Sequence, residues 1–95
     1  MYYVYFLKCY NSKGQYKIYC GYTSDLTKRV QTHRDGRGAK FTRMYHHKIE
    51  LVYWEEYKIK QEAMRREWFL KHDKSITRKK KIEMIKKFES DFNKR

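Results

Sequence analysis

A guanidinium and a carboxylate sit where the surrounding pattern calls for apolar side chains. Arg29 falls on a stripe of Leu26, Arg29, Val30 and His33 at i, i+3, i+4 and i+7, and Glu67 lies among Ala63, Met64 and Leu70. A charge on the inward stripe of a helix is costly unless it is paired or used. Two readings stay open on these residues alone. A structural one pairs Arg29 with Glu67, or Glu67 with Lys71 four residues on. A chemical one makes a cleft, in which the guanidinium forks onto phosphate oxygens and the carboxylate holds a hard divalent cation. Tyrosine is the second unusual population: ten in 95 residues, with Tyr2, Tyr3, Tyr5 and Tyr10 followed by Tyr16, Tyr19 and Tyr22. Taken singly, each reads as a core or surface aromatic with a polar tip. Pattern alone does not choose Tyr5 or Tyr19 from the rest.

Charge narrows the partner. Twenty-four Lys and Arg against eleven Asp and Glu leave a net +13. Such a chain is drawn to polyanions, because neutralising phosphates releases their condensed counterions. Nucleic acid comes first. An anionic membrane surface comes well behind, since no helix pairs a basic face with a strongly lipophilic one. The longest apolar run starts at Tyr2 and is stopped by Lys8, far short of the ~20 residues of a membrane span. Neither a basic leader nor a small-residue cleavage site is visible, so a cytoplasmic protein is expected. Cys9 and Cys20, in no metal-binding spacing, are expected as two buried thiols. His46 and His47 are adjacent and read as polar loop residues.

The elements that must position these groups follow from the apolar pattern. Met1 to Tyr10 is apolar at nearly every position, as in a strand covered on both faces. Asn11-Ser12-Lys13-Gly14 marks a turn, and Tyr16 to Tyr22 reads as the returning strand of an antiparallel hairpin. Thr23 and Ser24 offer N-caps to the first helix, with Asp25 in its first turn, and Gly36 and Gly38 end it. Lys40 to Lys48 reads as a basic irregular stretch, and Ile49 to Tyr57 as a third strand. Gln61 to His72 forms a second helix with Ala63, Met64, Trp68 and Leu70 apolar at helical spacing. Ser75 and Thr77 mark the start of a third, amphipathic through Ile82, Ile85, Phe88 and Phe92. The expectation is a single α+β domain over residues 1–95. Its three-stranded, mainly antiparallel sheet is flanked by three helices in the order β-β-α-β-α-α.

Tyr3-Val4-Tyr5 and then Tyr19-Cys20-Gly21 resemble the paired tripeptides of the GIY-YIG nuclease superfamily. The stretches IYCGYTSDLTKRVQTH, GRGAKFTR, LVYWEEY and EAMRREWFLK, in that order, are similar to its small single-domain bacterial branch. The resemblance spans nearly the whole chain. It implies that Tyr5 is the general base or water-positioning group and that Tyr19 holds the attacking water or the scissile phosphate. It also implies a cleft kept open at Gly21, the helix arginine at Arg29 with His33 one turn later, and Glu67 as the metal-binding carboxylate. Two readings of His33 stay open, one that orients the water or bonds a phosphate and one of a packed, hydrogen-bonded histidine. Lys71 stands where the branch often has a lysine. Tyr3 and Cys20 replace the Gly and Ile of the superfamily name, both at non-reacting positions. The hairpin loop through Lys13 and Gly14 looks somewhat long, and a proline common before the third strand is absent.

The implied reaction is metal-dependent hydrolysis of phosphodiester bonds, in DNA ahead of RNA, by an endonuclease. Tyrosine has a reference pKa of about 10, so nearby positive charge would have to lower it for the phenol to act as a base. Arg29 stays charged at any working pH, and one preorganised donor of its kind is worth ~10²–10³ in rate. With Glu67 as sole carboxylate, Mg²⁺ or Mn²⁺ held largely by water suits the site. Arg37, Lys40 and Arg43 beside Phe41, together with Lys71, Lys79, Lys80 and Lys81, are expected to grip backbone without reading sequence. The lysine run sits in a first helical turn, where the helix dipole disfavours cations. A monomer is expected. The competing class is a basic nucleic-acid-binding module that keeps the scaffold without cutting.

Overall fold

The computed structural model describes residues 1–93, apart from the side chain of Phe41. Strands β1 (Tyr2–Tyr10) and β2 (Tyr16–Thr23) form the predicted hairpin, and β3 (Lys48–Tyr57) pairs with the other side of β1. The sheet is antiparallel throughout, in the order β2-β1-β3. β1 is therefore the central strand, which explains its unbroken apolar run: Val4, Tyr5, Phe6 and Leu7 are all buried. Asn11 closes the hairpin by accepting from the backbone N–H groups of Lys13 and Gln15, both at 3.0 Å. Gly14 takes the left-handed conformation the turn requires, at φ +81°.

Between β2 and β3 come α1 (Leu26–Arg34) and the short α2 (Lys40–Met44); after β3 come α3 (Lys60–His72) and α4 (Arg78–Asn93). The predicted element order holds, with α2 added inside the stretch expected to be irregular. One helical turn is too short to show periodicity or to persist on local propensity. Its side-chain contact with α1, described below, fixes it instead. Phe41, expected beside the basic residues of this stretch, has its side chain outside the described set. Among the described residues no helix is long and apolar enough to cross a membrane.

The two faces of the sheet carry separate cores. Val4, Phe6 and Cys20 pack with Ala63, Leu70 and Ile85 of α3 and α4. Tyr5, Leu7 and Cys9 pack on the other face with Val30 of α1 and Ile49. Both cysteines are buried thiols, as expected, and burial pushes each up to about 12.

Two local expectations are corrected. Asp25, rather than Thr23 or Ser24, caps α1: its side chain accepts from the N–H of Lys28, while Thr23 Oγ1 accepts from the N–H of Asp25 at 3.1 Å. In α3, Met64 and Trp68 do not join the core; they are 43% and 63% exposed. The inward stripe is Ala63, Arg66, Glu67 and Leu70, spaced i, i+3, i+4 and i+7. Arg66 turns inward because Glu55 of β3 waits for it. Its guanidinium donates to Oε1 at 2.9 Å and to Oε2 at 3.1 Å, and the hydroxyls of Tyr53 and Tyr57 donate to the same carboxylate.

That knot ties α3 to β3, and removing one partner leaves a largely buried carboxylate with only phenols around it. Arg66→Met is expected to lower stability by about 2 kcal/mol in a denaturant melt. Pairing it with Glu55→Gln should recover part of the loss, as a double-mutant cycle measures.

Candidate active site

Strand register brings the first three groups together. Tyr5 of β1 faces Gly21 of β2, and Leu7 faces Tyr19, so Tyr5 and Tyr19 project from the same face of the sheet. Their ring centroids lie 6.3 Å apart. Gly21 is required by the phenol itself: a Cβ there would come within 2.6 Å of the Tyr5 hydroxyl and 3.0 Å of the Tyr19 ring. The glycine thus makes room for a tyrosine hydroxyl that a side chain would obstruct.

Helix α1 lies over this face and supplies Arg29 and His33 one turn apart. Its end is fixed by a Schellman motif, with the N–H of Arg37 bonded to the carbonyl of Thr32 and that of Gly36 to His33. His33 is fully buried, and its ring stands 5.0 Å from that of Tyr19. Nε2 is 3.0 Å from the Tyr5 hydroxyl, and Nδ1 is 2.9 Å from Oγ1 of Thr42 in α2. Gly38 packs directly on this imidazole, and a Cβ there would overlap Nδ1. Thr42 is itself buried and donates to the carbonyl of Ala39 at 2.8 Å. Sequence reading missed Thr42. A threonine within a basic loop carries no signal that it will meet a histidine nine residues away.

Electrostatics separate the roles of these groups. Burial, with Arg29 beside it, lowers His33 to about 4, so the imidazole is neutral at any ordinary pH. Burial also pushes Tyr5 well above the usual phenol value, and the nearby Tyr19 adds to the rise; Arg29 opposes it without prevailing. Of the positive charge that would have to lower Tyr5, the protein's own share from Arg29 is outweighed by desolvation. For Arg29 burial works against the charge, but the phenols of Tyr5 and Tyr19 outweigh it and hold the guanidinium protonated. Arg29 and Tyr19 are half-buried, whereas Tyr5 has no accessible surface.

Glu67 lies on the side of α3, near Cys20 of the edge strand β2. It does not pair with Arg29. Its Oε2 lies 3.4 Å from the ammonium of Lys71, and that ammonium sits 5.5 Å from the centre of the Tyr19 ring. Lys71 thereby links the carboxylate to the tyrosine cluster. Glu55, the other half-buried carboxylate nearby, is occupied by Arg66 and two tyrosines. Among the described residues no three His, Cys, Asp or Glu side chains converge. A divalent ion here would have Glu67 as its single carboxylate, an oxygen donor that fits Mg²⁺ or Mn²⁺ retaining most of their water.

The basic candidates come from α1–α2 and from α3 and α4. Lys79 and Lys80 are exposed in the first turn of α4, while the Lys81 ammonium lies 6.0 Å from the Phe6 ring centre. Lys81 lines a groove with Tyr16, Ile18 and Arg78, whereas Lys80 faces another with Arg66 and Phe69. Arg37 pairs with Asp35 at 3.0 Å on the surface, a contact of little energetic weight. Lys40 and Arg43 are exposed on α2.

The profile of the GIY-YIG catalytic domain matches residues 1–83. The UPF0213 protein YazA of Bacillus subtilis is 44% identical over 77 residues, covering 81% of this chain and 70% of that protein. YsiG of Lactococcus lactis, also a UPF0213 protein, is 39% identical and covers 90% and 75% respectively. A UPF0213 protein of Staphylococcus aureus is 42% identical, covering 88% and 93%. The solution NMR structure of a Bacillus halodurans UPF0213 protein, 38% identical, aligns with a TM-score of 0.49 over 90% of this chain and 84% of that one. With one catalytic-domain profile spanning most of its length and bacterial relatives matching 81–90% of it, the chain belongs to the GIY-YIG family, alongside the UPF0213 proteins.

Proposed function

We propose that the protein is a metal-dependent endonuclease that hydrolyses phosphodiester bonds in nucleic acid, DNA ahead of RNA. The observation that supports this most is the meeting of Arg29, two tyrosines and a neutral buried histidine on one sheet face. A structural ion pair does not need that arrangement. Arg29 and Tyr19, the half-buried members, meet the scissile phosphate and the attacking water. Arg29 forks onto phosphate oxygens and stabilises the charge that builds there. The water's proton passes by way of the phenol hydroxyls to Nε2 of His33. Tyr5 accepts a proton as it gives up its own, so it need not become a free tyrosinate. Glu67, with Lys71 beside it, would hold Mg²⁺ or Mn²⁺, which supplies Lewis-acid charge to the phosphate. Lys40, Arg43, Lys79 and Lys80 grip flanking backbone without reading sequence.

A binding module that does not cut is the competing reading, and Glu67→Gln separates the two. Among the described residues its ion pair is the i,i+4 contact with Lys71, worth about 0.3–0.5 kcal/mol, so the mutant should melt close to wild type. Cleavage of labelled DNA in Mg²⁺ should be abolished while binding in chelator persists. A mutant that cuts normally removes Glu67 from the metal site.

Tyr5→Phe keeps the ring and deletes the hydroxyl; its single-turnover rate should fall by about 10²–10⁴. A wild-type rate would sink the proton route through Tyr5. Binding should weaken steeply with salt, each phosphate contact contributing about 0.9 to the log–log slope on duplex DNA. Replacing Lys79, Lys80 and Lys81 by Ala should flatten that slope; an unchanged slope takes the run out of the interface.

His33 also makes a pH signature. Its folded value of about 4 lies below the ordinary 6.5, so between these values the unfolded chain binds a proton that the folded one does not. Its contribution is fully present above 6.5 and is lost as pH falls towards 4. Chemical melts across that window should show the loss, and His33→Asn should remove this part of the slope.

A further inference from the structure

The hydrogen bonds around His33 have only one direction in which all of them are made. Thr42 has a single hydroxyl proton, and the carbonyl of Ala39 at 2.8 Å can only accept, so that proton is spent there. Oγ1 of Thr42 is then an acceptor towards Nδ1 of His33, 2.9 Å away, and Nδ1 must carry the imidazole proton. A neutral imidazole protonated at Nδ1 has its lone pair on Nε2. The Tyr5 hydroxyl, 3.0 Å from Nε2, is consequently the donor. The opposite direction would break the Thr42–Ala39 bond, leaving that carbonyl only the N–H of Arg43 at 3.2 Å, and would turn the Tyr5 proton away from His33. All three side chains are fully buried, so water cannot readily repair a lost bond, and a missing partner carries its full desolvation cost.

We propose that Thr42 is a positioning residue that sets the His33 tautomer, and through it the direction in which the Tyr5 proton points. With Nδ1–H held by Thr42, Nε2 is a permanent acceptor, and the lone pairs of Tyr5 turn towards Arg29 and Tyr19. A proton arriving on the Tyr5 oxygen pushes the phenol's own proton onto Nε2. The O–H bond to Tyr5 breaks, an N–H bond to His33 forms, and the resulting imidazolium is hydrogen-bonded at both nitrogens. Gly38 belongs to the same device, since a side chain there would displace the ring from Thr42. The catalytic meaning of this chain rests on the nuclease reading above. The tautomer itself does not.

The test therefore has two separate readouts. Nitrogen-15 NMR of the substrate-free protein reports which ring nitrogen of His33 carries the proton. Wild type should show Nδ1–H, with the assignment checked against His33→Asn. Thr42→Val keeps the shape but removes the acceptor, and should move the proton to Nε2. Thr42→Ser restores the hydroxyl and should restore Nδ1–H. An Nε2–H tautomer in wild type overturns the proposal even if no variant folds, as does Nδ1–H persisting in a folded Thr42→Val. In cleavage, Thr42→Val should lower kcat by roughly 10²-fold with KM little changed, and Thr42→Ser should recover most of it. That loss is smaller than the ~10⁴-fold of a reversed tautomer in a hydroxyl–imidazole–carboxylate triad, because a neutral hydroxyl holds the ring less firmly. A switched tautomer with unchanged kcat overturns the positioning role. Failure of wild type to cut any substrate would sink the nuclease reading and leave the hydrogen-bond assignment supported.

Discussion

A neutral imidazole shut away from solvent demands a partner at each nitrogen, and much of this molecule is arranged to provide them. Tyr5 comes from the central strand, Thr42 from a separate short helix, and His33 stands between them on α1. The demand explains features that otherwise look unrelated. Gly38 must lack a side chain because the ring occupies that space, and Gly21 must lack one because the Tyr5 hydroxyl does. It also explains why β1 has to be the inner strand. Only there can a tyrosine be buried to its hydroxyl with backbone pairing on both sides.

Arg29 gains its character from the same burial. One guanidinium does not bring the Tyr5 phenol down here, because desolvation of Tyr5 is the larger effect. Arg29 instead helps to keep His33 uncharged. The cluster thus presents one fixed positive charge with a proton acceptor behind it, a division of labour suited to an anionic substrate. Lys71 extends the positive field around the edge strand to Glu67 and offsets that carboxylate near the place a phosphate would occupy.

Strong periodicity made the strands, the hairpin and the three long helices readable from residue order. Arg29 and Glu67 stood out because charge interrupted apolar stripes, and the resemblance to GIY-YIG nucleases then singled out Tyr5, Tyr19 and His33. Three things were hidden. The Arg66–Glu55 pair put Arg66 on the inward stripe of α3 in place of Met64 and Trp68, with Ala63, Glu67 and Leu70 kept there. An inward arginine looks the same as an outward one until its partner on another element is known. The short helix α2 lies below the length at which a pattern can register. The sign of the Tyr5 shift depends on how completely the phenol is buried, which no local window of sequence encodes.

Helix α2 has five residues and no side-chain cap at its N-terminus. A turn that short does not persist by itself in water, so its docked form depends on contacts such as the Thr42 to His33 bond. Each time it lifts away, the imidazole loses its outer partner and water reaches a ring that had been dry. The closed histidine pocket and the docked turn are therefore populated together, as a local opening equilibrium lying below the free energy of global unfolding. Amide exchange would see residues 40–44 open before the sheet does, and on warming the histidine pocket would loosen while most of the fold still stood.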